Sequence, residues 1–411
     1  MPNKTNSVIE SAYKAFVPDV RDRRNVDIAA EKIKSFLMNQ TKSVKARIEI
    51  SFAGSYAKNT WIKKESDIDI FVLFDSEKAT CKLGELVPKD FSQEHGTRIY
   101  YRGKINGIVV EIIPLVKFKD IAGVKNSIDL SILHADYIKN KLNNGLRKDI
   151  IILKQFCKAN SCYGSETYIH GFSGYSLELL TIRYGGILNL FTEALSWKPG
   201  VYVDIENIYP DMGKALDMIG ARGSPLILVD PTNPKRNVCG SLNTENFAKF
   251  VFAIKNFTAN PSLGFFIDKD SKKEVLTLSK RRGVKLFKYK TKIIGPKDKF
   301  LSMYNKNMFK LLKELADNDI LIYDCNPVYK EDEVHLFLQV ANIPSAKTRR
   351  VLGPEVWLDV ENFRRFLEEH KNAYIHGEFA AYDKPYNIKD FEVFINKKLK
   401  EFISSKSINK N

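Results

Sequence analysis

Asp67-Ile68-Asp69 puts two carboxylates two residues apart at the start of an apolar run, Ile68, Ile70, Phe71, Val72, Leu73 and Phe74. A short run rich in β-branched and aromatic residues reads as a buried strand. Strand side chains alternate, so Asp67 and Asp69 point the same way. Carboxylates in such a place are costly unless something positive compensates them, and hard divalent cations such as magnesium are the usual partner of clustered oxygens. Glu111 is a third acid in an apolar setting, among Val109, Val110, Ile112 and Ile113. Three acids on adjacent strands can hold two magnesium ions about 4 Å apart, an arrangement suited to activating a terminal hydroxyl and stabilising a leaving pyrophosphate. Upstream lies Gly54-Ser55. Glycine lets backbone approach a phosphate without a Cβ clash. The local amides and the Ser55 hydroxyl can then bind a β- or γ-phosphate, with Lys58 adding positive charge. The motif lacks the Gly-Lys-Ser/Thr ending of a P-loop.

The elements that would position these groups follow from periodicity. Residues 8–16 and 26–38 read as amphipathic helices, the second with a stripe of Ile28, Ile33, Phe36 and Leu37. Ile48, Ile50 and Phe52 alternate with polar residues as a half-buried strand ending at Ala53-Gly54-Ser55. Asn59-Thr60 is read as the cap of a helix starting near Trp61. Strands follow at Asp67, at 100–105 and at 108–113, the last two joined at Asn106-Gly107 and ended by Pro114. Helices are expected at 149–160, 174–184, 186–197 and 245–256, with a short strand at 226–229 between them. Beyond Pro261, helices at 301–316, 360–370 and 388–399 alternate with strands at 320–323, 335–340 and 373–382. The fold class is therefore α+β and multidomain. It comprises an α/β head over residues 1–148, a mostly helical central domain over 149–265 and a small basic α+β tail over 266–411, whose last helix is expected to return to the central domain.

The chain has 411 residues, enough for two to four domains. Its 44% hydrophobic and 28% charged content is that of an ordinary globular protein, and no apolar run is long enough to cross a bilayer. Five cysteines without a C-x-x-C pair argue against a disulfide framework or a zinc site. A cytoplasmic location is expected, with no membrane partner. The net charge of +16 suits a polyanion. It is concentrated at Lys272-Lys273, Lys280-Arg281-Arg282, Lys285, Lys288, Lys290 and Lys292. Phe287 and Tyr289 lie among these, so bases are expected to stack there while the lysines meet phosphates.

The string Gly54-Ser55-Tyr56-Ala57-Lys58-Asn59-Thr60-Trp61, followed by Asp67-Ile68-Asp69-Ile70-Phe71, resembles the polymerase β-like nucleotidyltransferase superfamily. More closely, it resembles the archaeal, class I CCA-adding tRNA nucleotidyltransferases. The resemblance continues through Val110-Glu111-Ile112-Ile113-Pro114, Leu153-Lys154-Gln155-Phe156, Tyr163-Gly164 and Gly171-Phe172-Ser173-Gly174-Tyr175-Ser176-Leu177-Glu178-Leu179-Leu180. Val229-Asp230-Pro231, Lys235-Arg236-Asn237-Val238 and Pro261 to Phe266 extend it, to cover about residues 10 to 400. It implies template-free addition of C, C and A to the tRNA 3′ end from CTP and ATP, with two magnesium ions (Mg2+). In this comparison Asp67, Asp69 and Glu111 fall on the catalytic, metal-binding carboxylates. Gly54, Ser55 and Lys58 fall on the triphosphate-binding segment. His134, Lys154 and Tyr163 fall on positions contacting phosphate or sugar, and Arg236 on the arginine that reads the incoming base. The chain departs from the family pattern in carrying Asp67 where Glu is common, Glu111 where Asp is usual and Lys58 where Arg is usual.

The basic tail is expected to meet the tRNA acceptor stem and TΨC arm by shape and phosphate contacts, with Lys347, Arg349 and Arg350 as further candidates. The sequence leaves room for a homodimer without fixing the oligomeric state. The bacterial and eukaryotic class of CCA enzymes is disfavoured, because Glu331-Asp332 is followed by Glu333, Val334 and His335 rather than by an E-D-x-x-R signature. The competing readings are a poly(A) polymerase or oligoadenylate synthetase-like transferase, and a catalytically inactive RNA-binding protein of the same fold.

Overall fold

A computed structural model describes residues 2–42, 48–95, 98–117, 130–282, 284–317, 320–341, 348–355, 357, 360–385 and 388–404. The chain divides into two compact units, Met1–Asp268 and Lys269–Asn411.

The first unit contains a five-stranded mixed sheet in the order β1-β2-β5-β4-β3. Its strands are β1 (Glu49–Ala53), β2 (Asp67–Phe74), β3 (Ser92–His95), β4 (Ile99–Ile105) and β5 (Ile108–Val116). Strands β2 and β5 run parallel and the other neighbours antiparallel. One face carries Ile68, Ile70, Val72, Phe74, Val110 and Ile112, packed with α2 (Val20–Thr41). Helix α2 begins at a reciprocal cap, in which Asp19 accepts from the Asp22 amide and Asp22 accepts from the Asp19 amide. Its buried stripe is Val26, Ala29, Ala30, Ile33 and Leu37, whereas Ile28 and Phe36 are exposed. The expected stripe is thus rotated: two small alanines let the helix sit close to the sheet.

Two other local expectations are corrected. Gly54–Lys58 forms α3, and Asn59 is its left-handed C-cap at φ 56° rather than the start of a following helix. Asparagine tolerates both roles, so composition alone could not choose. Pro114 does not end its strand, because β5 continues to Val116 with Pro114 paired to Val72.

Two short helices, α4 (Glu77–Thr80) and α5 (Leu83–Leu86), follow β2. The helical part of this unit comprises α1 (Pro2–Phe16), α6 (Ser131–Lys141), α7 (Asn144–Ala159), α8 (Gly174–Tyr184), α9 (Ile187–Ala194), α10 (Met212–Ile219) and α11 (Thr244–Ala259). Asn143, Ser173, Asp211 and Asn243 cap α7, α8, α10 and α11 by accepting backbone N–H bonds. Phe156, Phe172, Phe191, Phe250, Phe257 and Phe266 form the centre of the core, and α1 joins it through Ile9 and Ala12. A three-stranded sheet, β6 (Val201–Val203), β7 (Leu226–Asp230) and β8 (Asn233–Asn237), lies within this part.

The second unit holds α12 (Ser271–Arg282), α13 (Lys297–Ala316), α14 (Val360–Glu369) and α15 (Ile388–Ser404) with two three-stranded sheets. One sheet is β10 (Ile322–Tyr329), β11 (Glu333–Val340) and β9 (Lys285–Lys292), and the other is β12 (Thr348–Glu355), β14 (Phe379–Pro385) and β13 (Tyr374–His376). The basic stretch is therefore regular structure. In β9 the side chain of Phe287 is buried opposite Leu338 and cannot stack on bases, while Lys288, Lys290 and Lys292 are exposed. The strand expected over 373–382 is a hairpin turning at Gly377, whose φ is 58°. Within its unit, α15 packs on α13, with the Phe402 and Tyr304 rings 5.0 Å apart. Lys347 lies outside the described residues, and Arg350 bonds the Tyr374 hydroxyl and His376. No helix among the described residues is long and apolar enough to cross a membrane.

Candidate active site

The sequence places two acids at the first two positions of one face of β2, ahead of Phe71 and Leu73, and one acid within β5. The structure aligns Asp69 with Glu111 across the parallel β2–β5 pair, and Asp67 lies two residues earlier on the same face. This is the face opposite α2. Burial pushes the Asp69 carboxyl up to about 6, with repulsion from Asp67 adding to it and Lys58 opposing. Burial pushes Glu111 up to about 7, with Asp69 and Asp67 also raising it and Arg102 opposing. Asp67 is raised by partial burial too, although its side chain sits at the open edge. Arg102 Nε lies 3.4 Å from Glu111 Oε1. Among the described residues, no three His, Cys, Asp or Glu side chains are gathered closely enough to hold a metal ion by themselves. The donor set consists of hard oxygens short of counter-charge, which suits a hard cation that draws further oxygens from a substrate.

Gly54 has a reason beyond phosphate approach. Its φ is 59°, and a Cβ there would lie 1.7 Å from Asp69 Oδ2. Any larger residue would displace the carboxylate that the strand delivers. Ser55 follows in the first turn of α3, where its carbonyl accepts from the Thr60 amide at 3.0 Å.

A second cluster lies on the helical side. Lys154 of α7 is buried, and its ammonium donates to Glu178 Oε1 at 2.8 Å, Thr60 Oγ1 at 3.0 Å and the Thr60 carbonyl at 3.2 Å. Lys58 donates to the other oxygen, Glu178 Oε2, at 2.6 Å. Burial opposes ionisation of Glu178, but Lys154 and Lys58 overcome it and bring its carboxyl down to about 2. Lys154 therefore holds all three N–H bonds within the protein. Tyr163 comes near it, since a Cβ on Gly174 would lie 3.2 Å from the Tyr163 hydroxyl and 3.6 Å from Lys154 Nζ.

A third cluster centres on Asp230, at the end of fully buried β7. Its Oδ2 accepts from Arg236 at 2.8 Å and faces His134 Nε2 at 3.1 Å. Its Oδ1 accepts from the Tyr175 hydroxyl, the Thr232 amide and the Thr232 hydroxyl. Burial works against its charge, and His134, Arg236 and Thr232 hold the carboxyl well below the usual range. His134 stacks on Tyr175 with ring centroids 3.9 Å apart, and burial lowers its pKa. An ionised carboxylate only accepts, so Nε2 carries the proton that faces Asp230. Lys58, bonded to Glu178, also acts electrostatically on Asp69 and His134, so its charge reaches all three clusters.

The structure thus gathers Gly54, Asp67, Asp69 and Glu111 in one group, Lys58, Lys154 and Tyr163 in a second, and His134 and Arg236 in a third. Sequence reasoning missed the two acids that organise the latter groups, Glu178 and Asp230. Glu178 interrupts an apolar run, the same signal that singled out Glu111, whereas Asp230 ends one.

Residues 31–155 match the nucleotidyltransferase domain family, and residues 148–267 match the second domain of tRNA nucleotidyltransferases. The chain is 30% identical over 426 residues to a CCA-adding enzyme of Methanococcus maripaludis, covering 97% of this chain and 93% of that one. It is 29% identical over 411 residues to that of Nanoarchaeum equitans, covering 97% and 98%. It is also 29% identical over 393 residues to that of Methanothermobacter thermautotrophicus, covering 90% and 84%. Among solved structures, a cytoplasmic RNA terminal U-transferase superposes with TM-score 0.50 at 14% identity, over 65% of this chain and 99% of that one. A Cid1 poly(U) polymerase superposes with TM-score 0.50 at 14% identity, over 64% and 98%. Similarity at that level shows the nucleotidyltransferase fold, while the near-full-length relatives settle the family: the chain belongs to the CCA-adding enzymes.

Proposed function

We propose that this nucleotidyltransferase adds C, C and A to the 3′ end of tRNA from CTP and ATP, releasing pyrophosphate. The observation that carries the chemistry is the face shared by Asp67, Asp69 and Glu111, where, among the described residues, three acids meet a single contacting cation, Arg102, and the two most buried keep raised carboxyls. Those three carboxylates would hold two magnesium ions, whose chemistry is activation of the terminal hydroxyl and neutralisation of the departing pyrophosphate. The Gly54-Ser55 amides, the Ser55 hydroxyl and Lys58 orient the triphosphate. Lys154 and Tyr163 act close to that end of the nucleotide, and Lys154 reaches a phosphate only by releasing Thr60 or Glu178. Arg236, fixed by Asp230, presents its donor fork to acceptors that C and A share in space. His134, anchored on Asp230, orients the sugar or phosphate beside it.

The exposed lysines of β9 and the remaining basic surface of the second unit would bind the acceptor stem and TΨC arm. We place the reaction in the cytoplasm and leave room for a homodimer. The test is incubation with tRNA lacking its terminal triplet and each nucleoside triphosphate singly and together. The expected result is two C residues from CTP alone and a terminal A only after them. Long A tails formed without CTP would overturn the reading in favour of a poly(A) polymerase.

A further inference from the structure

Two ammonium groups share one buried carboxylate in the first unit. Glu178 is fully buried, Lys58 binds one of its oxygens, and Lys154 and the Thr60 hydroxyl bind the other. A one-to-one ion pair would be neutral. Here a buried group of two cations and one anion keeps a surplus positive charge, which is costly unless a further anion arrives. Lys58 keeps 10% of its side chain exposed, whereas that of Glu178 is wholly covered. The same carboxylate holds α3 in place, because Thr60 follows directly on the Asn59 cap and is gripped by both Glu178 and Lys154.

We propose that Glu178 is a positioning residue for the nucleotide site. It holds the Lys58 and Lys154 ammonium groups together, and it fixes the Gly54-Ser55 turn from the helical side, so that the surplus charge meets an incoming triphosphate. This rests on the nucleotide-binding reading given above. The groups that bear on the lysines are few. Glu178 of α8 attracts both. Lys58 of α3 repels Lys154, while Tyr163, after α7, lies beside it. Asp69 of β2 and His134 of α6 feel Lys58. On α7 itself, Lys158 is occupied by Glu65 and Cys157 is buried. Burial and Lys58 both drive Lys154 towards neutrality, with Glu178 opposing them.

The test compares wild type with Glu178→Gln and Glu178→Asp, each checked for folding by circular dichroism. Lysine side chains carrying 13C at Cε report the ionisation of Lys154 by NMR in nucleotide-free protein. Glu178→Gln should lower the pH at which Lys154 loses its proton by about 1–3 units. It should also raise KM for CTP by about tenfold or more. Glu178→Asp keeps the charge, so it should restore the lysine titration while recovering KM only in part. Should Glu178→Gln fail to fold, Lys58→Gln decides. It leaves a neutral Glu178–Lys154 pair, so it should raise the Lys154 titration and stabilise the nucleotide-free protein while weakening CTP binding. A folded Glu178→Gln with wild-type lysine titration and wild-type KM would overturn the proposal, as would a Lys58→Gln protein whose Lys154 titration does not rise. If wild type neither binds CTP nor extends tRNA, the functional reading has failed, and the lysine titration still reports separately on Glu178.

Discussion

The first unit holds two kinds of buried acid, and they differ in what surrounds them. Asp69 and Glu111 are pushed up to about 6 and 7, whereas Glu178 is brought down to about 2 and Asp230 is held well below the usual carboxylate range. Burial raises all four. Glu178 and Asp230 overcome it with Lys58, Lys154, His134 and Arg236, while Asp69 and Glu111 face each other and Asp67 across a parallel register. Where an interior acid is fully paired, it positions other side chains. Where counter-charge falls short, as with Arg102 alone against three acids among the described residues, the remainder must come from something that binds. The distinction separates architecture from chemistry without reference to any relative.

The largest break in this comparison is Asp69→Asn. Loss of one preorganised charged group at the reacting centre should lower nucleotide addition by at least about 10²–10³-fold. Yet the variant should be more heat-stable than wild type when metal-free. The sign follows from the raised pKa. An acid whose folded value lies near 6 against 3.8 unfolded destabilises the fold once it must ionise, and the penalty grows as pH rises between the two. Thermal unfolding in chelator should therefore show a Tm gain at pH 8 that shrinks towards pH 5. A Tm loss at pH 8 would place Asp69 among the structural acids.

Asp230→Asn should do the opposite, costing up to about 3–5 kcal/mol, because it strips a buried anion from Arg236 and His134. Incorporation of U and G relative to C and A should rise in the surviving folded protein, since the guanidinium fork would lose its anchor. Denaturant unfolding and single-nucleotide incorporation measure the two effects. Magnesium dependence gives a smaller, graded effect. Protons occupy Glu111 and then Asp69 as pH falls through about 7 and 6, and a cation must displace each one. The magnesium concentration for half-maximal rate should therefore rise by up to about tenfold per pH unit per proton below neutrality. A flat profile between pH 8 and 6 would mean that these acids are already compensated.

Asp67, Asp69 and Glu111 were legible in the sequence because they interrupt apolar strand runs, and the period of two fixes which face Asp67 and Asp69 share. Glu178 carries the same signal within Leu177, Leu179 and Leu180, but a helix distributes side chains around an axis, so spacing alone does not say what it meets. Its partners come from 24 and 120 residues away, a matter of tertiary packing. Helix α6, which carries His134, went unread because Ser131–Lys141 has no single apolar stripe. The basic stretch was read by composition, and that reading mixed two faces of one strand. Period-two alternation in Lys285–Lys292 sends Phe287 inward and Lys288, Lys290 and Lys292 outward.

That separation sets the smallest predicted effect. Lys288, Lys290 and Lys292 lie on an exposed face of β9, and a solvated lysine contributes little to stability, so replacing all three by alanine should leave the fold intact. If they meet tRNA phosphates, each lost contact removes released counterions. The slope of log affinity against log salt should then flatten by about 0.7–0.9 per lysine. The loss should appear as a weaker KM for tRNA with KM for CTP unchanged, because no lysine of β9 belongs to the clusters that hold the nucleotide. Phe287→Ala should show the reverse pattern. It should destabilise by about 3–5 kcal/mol as a buried aromatic, with the salt slope unaltered in whatever protein remains folded. Filter binding across a salt series, paired with thermal unfolding, distinguishes the two faces. An altered salt slope for Phe287→Ala, or none for the triple lysine variant, would move the RNA surface elsewhere on the second unit.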